Sequence, residues 1–151
     1  MKRTSHSEIA LFLRLEPDIP RLTHQNGIKV ATRGGKTVMY KSAELRSLEA
    51  KYCALLKPHA PSEPWNCPIS LTTEWIFRKP KGAKGIFKTT KPDTDNLVKT
   101  LKDCMTRCGY WKDDALVVMD GCTKLWADEN EPHGIIIRMT EPVNFSIEDG
   151  E

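Results

Sequence analysis

The sequence predicts one compact domain of the α/β (α+β) class, in which a mixed β-sheet is flanked by two main helices. Two segments keep the 3.6-residue apolar period of an amphipathic helix, and others are short runs rich in β-branched and aromatic residues. These patterns follow one another as β, hairpin, α, β, α, β, β, which is typical of layered α/β folds. The length of 151 residues suits a single domain with its own core.

The first predicted elements are a strand and a hairpin. Residues 8–15 are rich in apolar side chains and stop before Pro17, which favours a strand. Residues 23–35 contain two glycine turn signals and predict a basic hairpin or a mobile loop. The turn signals are Asn26-Gly27 and Gly34-Gly35.

Two helices follow from apolar periodicity. Ser42 is a favourable N-cap for a first helix whose period runs to Leu56, and Pro58 ends it. The second helix is predicted over residues 95–108, where an apolar stripe is strongest, and Gly109 stops it.

The remaining strands are predicted over residues 69–77, 115–126 and 134–140. We expect residues 115–126 to form a long buried strand. Residues 78–91 contain several lysines, two glycines and no acid, which predicts a flexible basic segment before the second helix.

Composition excludes several classes of protein. No apolar stretch approaches the length that crosses a bilayer, and the N-terminal apolar run is too short for a secretory signal. We therefore expect a cytoplasmic protein without a membrane partner. Five cysteines without C-x-x-C spacing predict free thiols, and four scattered histidines disfavour a zinc site.

Charge is distributed unevenly along the chain. The net charge is +3, but residues 1–126 carry 22 basic and 13 acidic side chains, while the remainder is strongly acidic. A basic body suits a polyanionic partner, although a soluble surface can have the same composition.

Six charged residues near the second helix form the candidate site. Their types and spacing suit either ordinary helix stabilisation or metal chemistry. They are Asp93, Asp95, Lys99, Asp103, Asp113 and Asp114.

Asp93 and Asp95 come just before the second helix. Pro92 favours extended backbone in the residue before it, and two side chains two residues apart on an extended chain point the same way. Their carboxylates would then converge ahead of the helix. The alternative is helix capping, which stabilises a helix by about 1 kcal/mol.

Lys99 lies one helical turn after Asp95 and one turn before Asp103. One interpretation is a salt-bridge ladder that ends at Arg107, in which each pair contributes about 0.3–0.5 kcal/mol. The other is that the lysine faces the carboxylates, where it neutralises a phosphate or assists an attacking water. Successive strand residues point to opposite faces, so only one of Asp113 and Asp114 is expected to join the other acids.

Grouped carboxylates require a cation or protons. Two unit charges about 4 Å apart repel by about 4 kcal/mol at an effective dielectric constant near 20. Oxygen ligands without histidine or cysteine select Mg²⁺ or Mn²⁺. These ions promote phosphoryl chemistry, so carboxylates beside a basic segment indicate a phosphodiester substrate.

Residues 91–118 resemble the signature of the RusA-type Holliday junction resolvases. The resemblance is carried by the pattern D-x-D-N-x-x-K, followed by a later aspartate and then by D-D. The combination is far more specific for this family than any one piece, and the match is looser elsewhere in the chain. The resemblance implies a homodimer with a mixed α/β fold that cleaves four-way DNA junctions with Mg²⁺, or with Mn²⁺ as a substitute, and no small-molecule cofactor. It implies a RusA-like endonuclease domain over residues 1–140 and an acidic tail over residues 141–151.

The resemblance also implies roles for individual residues. Asp93, Asp95 and Asp114 would bind the metal and act in catalysis. Lys99 would be the catalytic lysine. The residues implied in support are Asp113 at the metal, Asn96 and Asp103.

Two basic segments are expected to contact DNA phosphates, although most charged runs are simply solvated surface. The ten residues are Arg21, Lys29, Arg33, Lys36, Arg78, Lys79, Lys81, Lys84, Lys88 and Lys91.

Three other functions stay open at this point. One is a catalytically silent protein that binds DNA junctions, which the intact acids and Lys99 argue against. A second is another Mg²⁺-dependent phosphodiesterase that acts on flaps, nucleotides or branched DNA. The third is a basic structural domain whose acids are helix caps and surface ion pairs.

Overall fold

The computed structural model describes residues 6–143. The elements are β1 (Ile9–Arg14), α1 (His24–Gly27), β2 (Ile28–Arg33), β3 (Lys36–Lys41), α2 (Ala43–Leu56), β4 (Ile69–Phe77), α3 (Thr94–Arg107), β5 (Val117–Trp126) and β6 (Gly134–Thr140). Single 3₁₀ turns lie at Lys57–His59 and Asp114–Leu116. The predicted order of elements is confirmed. Most of the acidic segment 141–151 lies outside the described residues, so its separation from the domain stays a prediction.

Four strands form the main sheet in the order β1-β6-β4-β5. β6 runs antiparallel to both β1 and β4, whereas β5 runs parallel to β4. The predicted mixed sheet is therefore confirmed. β4 and β5 are parallel neighbours, so the chain between them must cross back over the sheet, and α3 lies in that crossover.

The core lies between one face of the sheet and the helices α2 and α3. Alternate residues of the central strands point to this face and are buried, as the two-residue period of a strand requires. Trp75 of β4 and Leu101 of α3 are both 0% exposed. Because only one face is tightly covered, the fold is a two-layer arrangement with the helices on one side.

Both predicted helices begin and end close to the expected residues. The Ser42 hydroxyl accepts a hydrogen bond from the Leu45 amide at 3.1 Å, which confirms the N-cap of α2. Gly109 follows α3 with φ of +80°, a conformation that favours glycine.

The hairpin is longer than the sequence predicted. Its turn is Gly34-Gly35, as expected, but β3 continues to Lys41, whereas the turn signals predicted a hairpin or loop over residues 23–35. Asn26-Gly27 is not a hairpin turn, since it lies in α1, where the Asn26 side chain closes a capping box with Thr23.

The prediction of a buried strand over residues 115–126 is wrong in two respects. Asp114–Leu116 is a 3₁₀ turn, so β5 begins at Val117. β5 is also the edge strand of the sheet, and the side chains of Val118 and Met119 are 61% and 41% exposed. Apolar composition suggested burial, but an edge strand can carry apolar side chains on a surface that faces solvent.

All five cysteines are free thiols, which confirms the prediction. Burial raises the pKa of the Cys108 thiol to about 11, so it stays protonated at neutral pH. Among the described helices, none combines the length and apolar character needed to cross a membrane.

Candidate functional site

The first turn of α3 separates two of the predicted site residues. Asp93 is the N-cap residue with extended backbone, and its carboxylate makes no capping hydrogen bond. Asp95 lies in the first turn of the helix. The backbone changes from extended to helical between them, so the alternation of an extended chain does not align their side chains. The two residues line different clefts, and the expected convergence is not seen.

A cleft between α3 and the start of β5 brings most of the other predicted residues together. We call it the carboxylate cleft, and its volume is about 380 Å³. Its polar side chains are four carboxylates and two ammonium groups, supplied by three elements. Its lining residues are Asp95, Val98, Lys99, Lys102, Asp103, Asp114 and Asp120.

The geometry of α3 explains this grouping. Residues separated by three, four, seven and eight positions lie along one face of a helix. Asp95, Lys99 and Asp103 follow that spacing, and the 3₁₀ turn carries Asp114 to the same cleft. The opposite face of α3 is buried in the core, so the cleft lies directly on a rigid scaffold.

Asp93 lies in a neighbouring cleft of about 370 Å³, together with Asn96, Arg21 and Lys91. The Asn96 side-chain amide donates to Gln25 Oε1 at 2.6 Å, which links α3 to α1. The structure therefore places Asn96 in a contact between elements, and Asp93 beside the carboxylate cleft rather than in it.

Asp113 and Asp114 diverge, although they are adjacent. Asp113 Oδ1 accepts a hydrogen bond from the Ala115 amide at 2.8 Å and so caps the 3₁₀ turn. Asp114 lines the carboxylate cleft. Asp113 does not line that cleft but a neighbouring depression, which Asp103 and Asp114 also line.

The alternative salt-bridge ladder along α3 is absent from residues 6–143. Arg107 instead pairs with the buried Glu49 of α2, which also accepts a hydrogen bond from Lys41 at 3.1 Å. Lys99 has no salt-bridge partner in the same range. The face that carries Asp95, Lys99 and Asp103 is therefore left open to the cleft.

Asp120 is a member of the cleft that sequence reasoning missed. The pairing of β4 with β5 shifts register between Ile69 and Ser70, so that Leu71 lies opposite Asp120. Leu71 is 0% exposed and packs in the core on the helix side of the sheet, and Asp120 lines the cleft against α3 on that same side. A one-residue bulge thus turns Asp120 towards α3, and no sequence pattern indicated a bulge at that position.

Nine of the ten predicted DNA-contacting residues are exposed on the two basic segments. Lys88 is the exception, because it is 5% exposed and its ammonium lies 4.8 Å from the centre of the Trp126 ring. Residues 86–88 pair with the outer edge of β5, and this pairing turns Lys88 inwards. The side chain of Lys88 therefore packs within the fold, which does not suit a phosphate contact.

The donor set of the carboxylate cleft fits a hard divalent cation. Its acidic groups offer carboxylate oxygens, and its lining contains no histidine or cysteine, a combination that suits Mg²⁺ or Mn²⁺. Among residues 6–143, however, there is no group of three or more acidic, histidine or cysteine side chains placed closely enough to hold a metal ion.

A larger cavity of about 750 Å³ lies at the opposite end of the sheet. It mixes acidic and basic side chains, and Glu16 is already paired there with His133 at 2.8 Å. None of the predicted catalytic residues lines it.

Comparison with known proteins matches this geometry to a family. Residues 20–140 match the model of the family described as "Endodeoxyribonuclease RusA". The chain belongs to the RusA family of endodeoxyribonucleases. The resemblance in residues 91–118 is thereby confirmed, and so is the prediction of a nuclease.

Two relatives are similar to this RusA-family chain. It is 32% identical over 126 residues to "Crossover junction endodeoxyribonuclease rusA" of Lactococcus phage r1t, covering 82% of this chain and 91% of that protein. It is 30% identical over 110 residues to "Uncharacterized protein YqaN" of Bacillus subtilis (strain 168), covering 64% of this chain and 76% of that protein.

Proposed function

We propose that this RusA-family chain is a divalent-metal-dependent endonuclease that resolves Holliday junctions through paired, symmetric nicks. The observation that carries the proposal is the carboxylate cleft, which Asp95, Asp114 and Lys99 from the family motif line together. The phage relative named as a crossover junction endodeoxyribonuclease supports the four-way junction as substrate.

The carboxylates would hold the cation. Asp95, Asp103 and Asp114 line the cleft, and Asp93 lines the neighbouring one. When bound, a divalent cation would activate a water molecule and stabilise the charge that develops on the phosphate. Mg²⁺ is the ion we propose, and Mn²⁺ should replace it because both prefer oxygen ligands.

Lys99 would bind the substrate rather than the cation. Its ammonium lacks a salt-bridge partner within residues 6–143 and lines the cleft. A free ammonium at that place can donate hydrogen bonds to a non-bridging phosphate oxygen and orient the phosphodiester. Asn96 would support the site through its hydrogen bond to Gln25, and Asp113 through its cap on the turn that carries Asp114.

The exposed basic segments would hold the DNA arms. The hairpin carries three exposed basic side chains, Lys29, Arg33 and Lys36, and no acid, and residues 78–91 supply five more exposed ones. These contacts should neutralise phosphates and release counterions. A two-fold homodimer would place two identical sites on a substrate that is itself nearly two-fold symmetric.

The test is competition among DNA substrates. Wild-type protein with Mg²⁺ is offered labelled four-way junctions in the presence of unlabelled junction, flap or linear duplex, and the cuts are mapped on all strands. We expect unlabelled junction to compete best and the cuts to fall symmetrically on two opposed strands. Preferential cutting of flaps would instead favour a different phosphodiesterase, and tight junction binding without cutting under any metal would favour a silent binding protein.

A further inference from the structure

We propose that Asp120 is a positioning residue, which holds the Lys102 ammonium away from the other carboxylates of the cleft and so sets the affinity of the cleft for a divalent cation. This inference rests on the metal site of the proposed function and assigns two residues outside the family motif.

The contact itself joins the two walls of the cleft. Lys102 Nζ of α3 lies 3.2 Å from Asp120 Oδ2 of β5. The side chain of Lys102 is 22% exposed and that of Asp120 is 36% exposed, so the pair is partly shielded from water. Among the described residues it is the one salt bridge between these two elements.

The pair divides the acids of the cleft into two groups. Four carboxylates line it, and Asp120 is the one among them that forms a salt bridge within residues 6–143. Asp95, Asp103 and Asp114 make no such pair in that range. These three therefore stay available to a cation, while one of the two lysines in the cleft, Lys102, is already paired.

A lysine inside a metal site is a competitor. Its ammonium and a divalent cation seek the same carboxylate oxygens, and each carboxylate neutralised by a lysine attracts a cation less strongly. Lys102 would be such a competitor if Asp120 did not hold it, because its side chain stays tethered in the cleft. Lys99, one turn earlier on α3, adds to the repulsion of an incoming cation and makes the neutralisation of Lys102 more important.

The strand register is what creates this arrangement. Without the shift between Ile69 and Ser70, Met119 rather than Asp120 would face the helices. The bulge therefore replaces an apolar side chain with a carboxylate opposite Lys102. Bulges that redirect a side chain are common beside functional sites.

The experiment measures Mn²⁺ binding to the protein alone, through the electron paramagnetic resonance signal of free Mn²⁺, without DNA or cleavage. The proteins are wild type, Asp120→Asn, Lys102→Met and the double variant. We expect Asp120→Asn to weaken Mn²⁺ binding about fivefold, since it frees Lys102. The double variant should return to within about twofold of wild type, and Lys102→Met alone should bind at least as tightly as wild type.

Two outcomes overturn the inference alone. In one, Asp120→Asn binds Mn²⁺ as wild type does. In the other, the double variant stays as weak as Asp120→Asn, which would make Asp120 a ligand in its own right. If Asp120→Asn fails to fold, Lys102→Met decides, because weaker binding by that variant contradicts the proposed competition.

Matched controls are available far from the cleft. Asp128→Asn removes an exposed acid in the loop before β6, and Lys51→Met removes an exposed lysine on α2. Both should bind Mn²⁺ as wild type does. Absence of Mn²⁺ binding by the wild-type protein would overturn the metal site of the proposed function as well, and is thus distinguishable from failure of the Asp120 inference.

Discussion

Lys99 extends from α3 into the carboxylate cleft without a salt-bridge partner in residues 6–143. Two acids lie one helical turn away from it, and neither pairs with it, although the sequence spacing allowed such a ladder. An exposed lysine beside carboxylates loses little by staying unpaired, since surface ion pairs contribute only about 0–1 kcal/mol. Its ammonium is therefore free for a phosphate.

Replacing Lys99 by Met should slow cleavage and leave the fold intact. We expect the single-turnover rate on a four-way junction to fall by about 10²-fold or more, because one preorganised hydrogen-bond donor to a developing charge is removed. Affinity for the junction should change little, since many other cations hold the DNA. Lys51→Met on α2 is the control, and equal rates for the two variants would contradict a catalytic role for Lys99.

Glu49 secures α3 from the opposite side. Its side chain is 4% exposed and pairs with Lys41 at 2.9 Å and with Arg107. Burial of the carboxyl opposes its ionisation, but the hydrogen bonds from Lys41 and Arg107 outweigh that effect and hold the pKa of Glu49 below its usual value of 4.5. The ionised form is thus favoured by folding.

Glu49→Gln should destabilise the fold in a pH-dependent manner. We expect the free energy of unfolding to fall by about 1–2 kcal/mol at pH 7. This is less than the loss of a fully buried ion pair would cost, because Arg107 is half exposed and water screens the pair. Since the folded pKa is lowered, the contribution of Glu49 is complete above pH 4.5 and is lost as the pH falls through the folded value. Urea unfolding from pH 7 to pH 3 should show the two proteins converging, and a constant difference would contradict the ion pair.

Individual residues of the site were predictable to different degrees. The residue types and spacing of Asp95 and Lys99 indicated one site, to which the family resemblance added Asp114, and these three line one cleft. Asp93 was expected beside Asp95, but helix geometry begins between them and separates the two side chains. Asp120 was not predictable, because a bulge in strand pairing depends on contacts with β4 that the local sequence does not encode.

At the scale of elements, β5 organises the approach to α3. Lys124 of β5 donates hydrogen bonds from Nζ to the carbonyl oxygens of Thr90 and Pro92, at 2.7 and 3.0 Å. Residues 86–88 pair with the outer edge of the same strand. The end of the basic segment is therefore fastened to the sheet just before Asp93.

Removing the Lys124 ammonium should loosen this segment. We expect Lys124→Met to reduce the cleavage rate about tenfold, because displacement of Asp93 by about 1 Å disturbs an oriented site. Junction affinity and the melting temperature should change little in comparison. Hydrogen exchange of residues 88–93 gives the structural readout, and unchanged exchange would show that the two hydrogen bonds do not hold the segment.

Helices and central strands were the elements that the sequence predicted best. The apolar period of α3 and the caps of α2 are local features, so a single sequence contains them. The exposure of β5 could not be predicted in this way, because an apolar strand at a sheet edge and one at the centre have similar compositions. The position of β5 depends on the whole sheet order.

At the scale of the whole molecule, the charges surround the cleft asymmetrically. Eight of the exposed cations are concentrated on the hairpin and on residues 78–91, whereas the acids of the cleft lie on α3, on the 3₁₀ turn and on β5. Both basic segments were visible in the sequence as runs without acids. Their contact with DNA and the two-fold homodimer stay predictions, since the structure describes one chain.

Salt dependence measures how many phosphates these segments neutralise. We expect the logarithm of the junction binding constant to fall linearly with the logarithm of salt concentration, with a slope of about −0.9 for each phosphate contact. Replacing both Arg33 and Lys36 at the hairpin tip by Ala should make the slope less steep by roughly two, if each contacts one phosphate. A slope that is flat for wild type, or unchanged in the variant, would contradict contact through the hairpin.

The most direct test of the carboxylate cleft as the catalytic site is cleavage of a synthetic four-way junction, measured with and without Mg²⁺. The proteins compared are wild type, Asp95→Asn and the matched control Asp128→Asn. We predict that wild type and Asp128→Asn make paired nicks that require Mg²⁺. Asp95→Asn should still bind the junction but leave it uncut. Undiminished cleavage by Asp95→Asn would contradict the assignment and return the acids of α3 to a purely structural role.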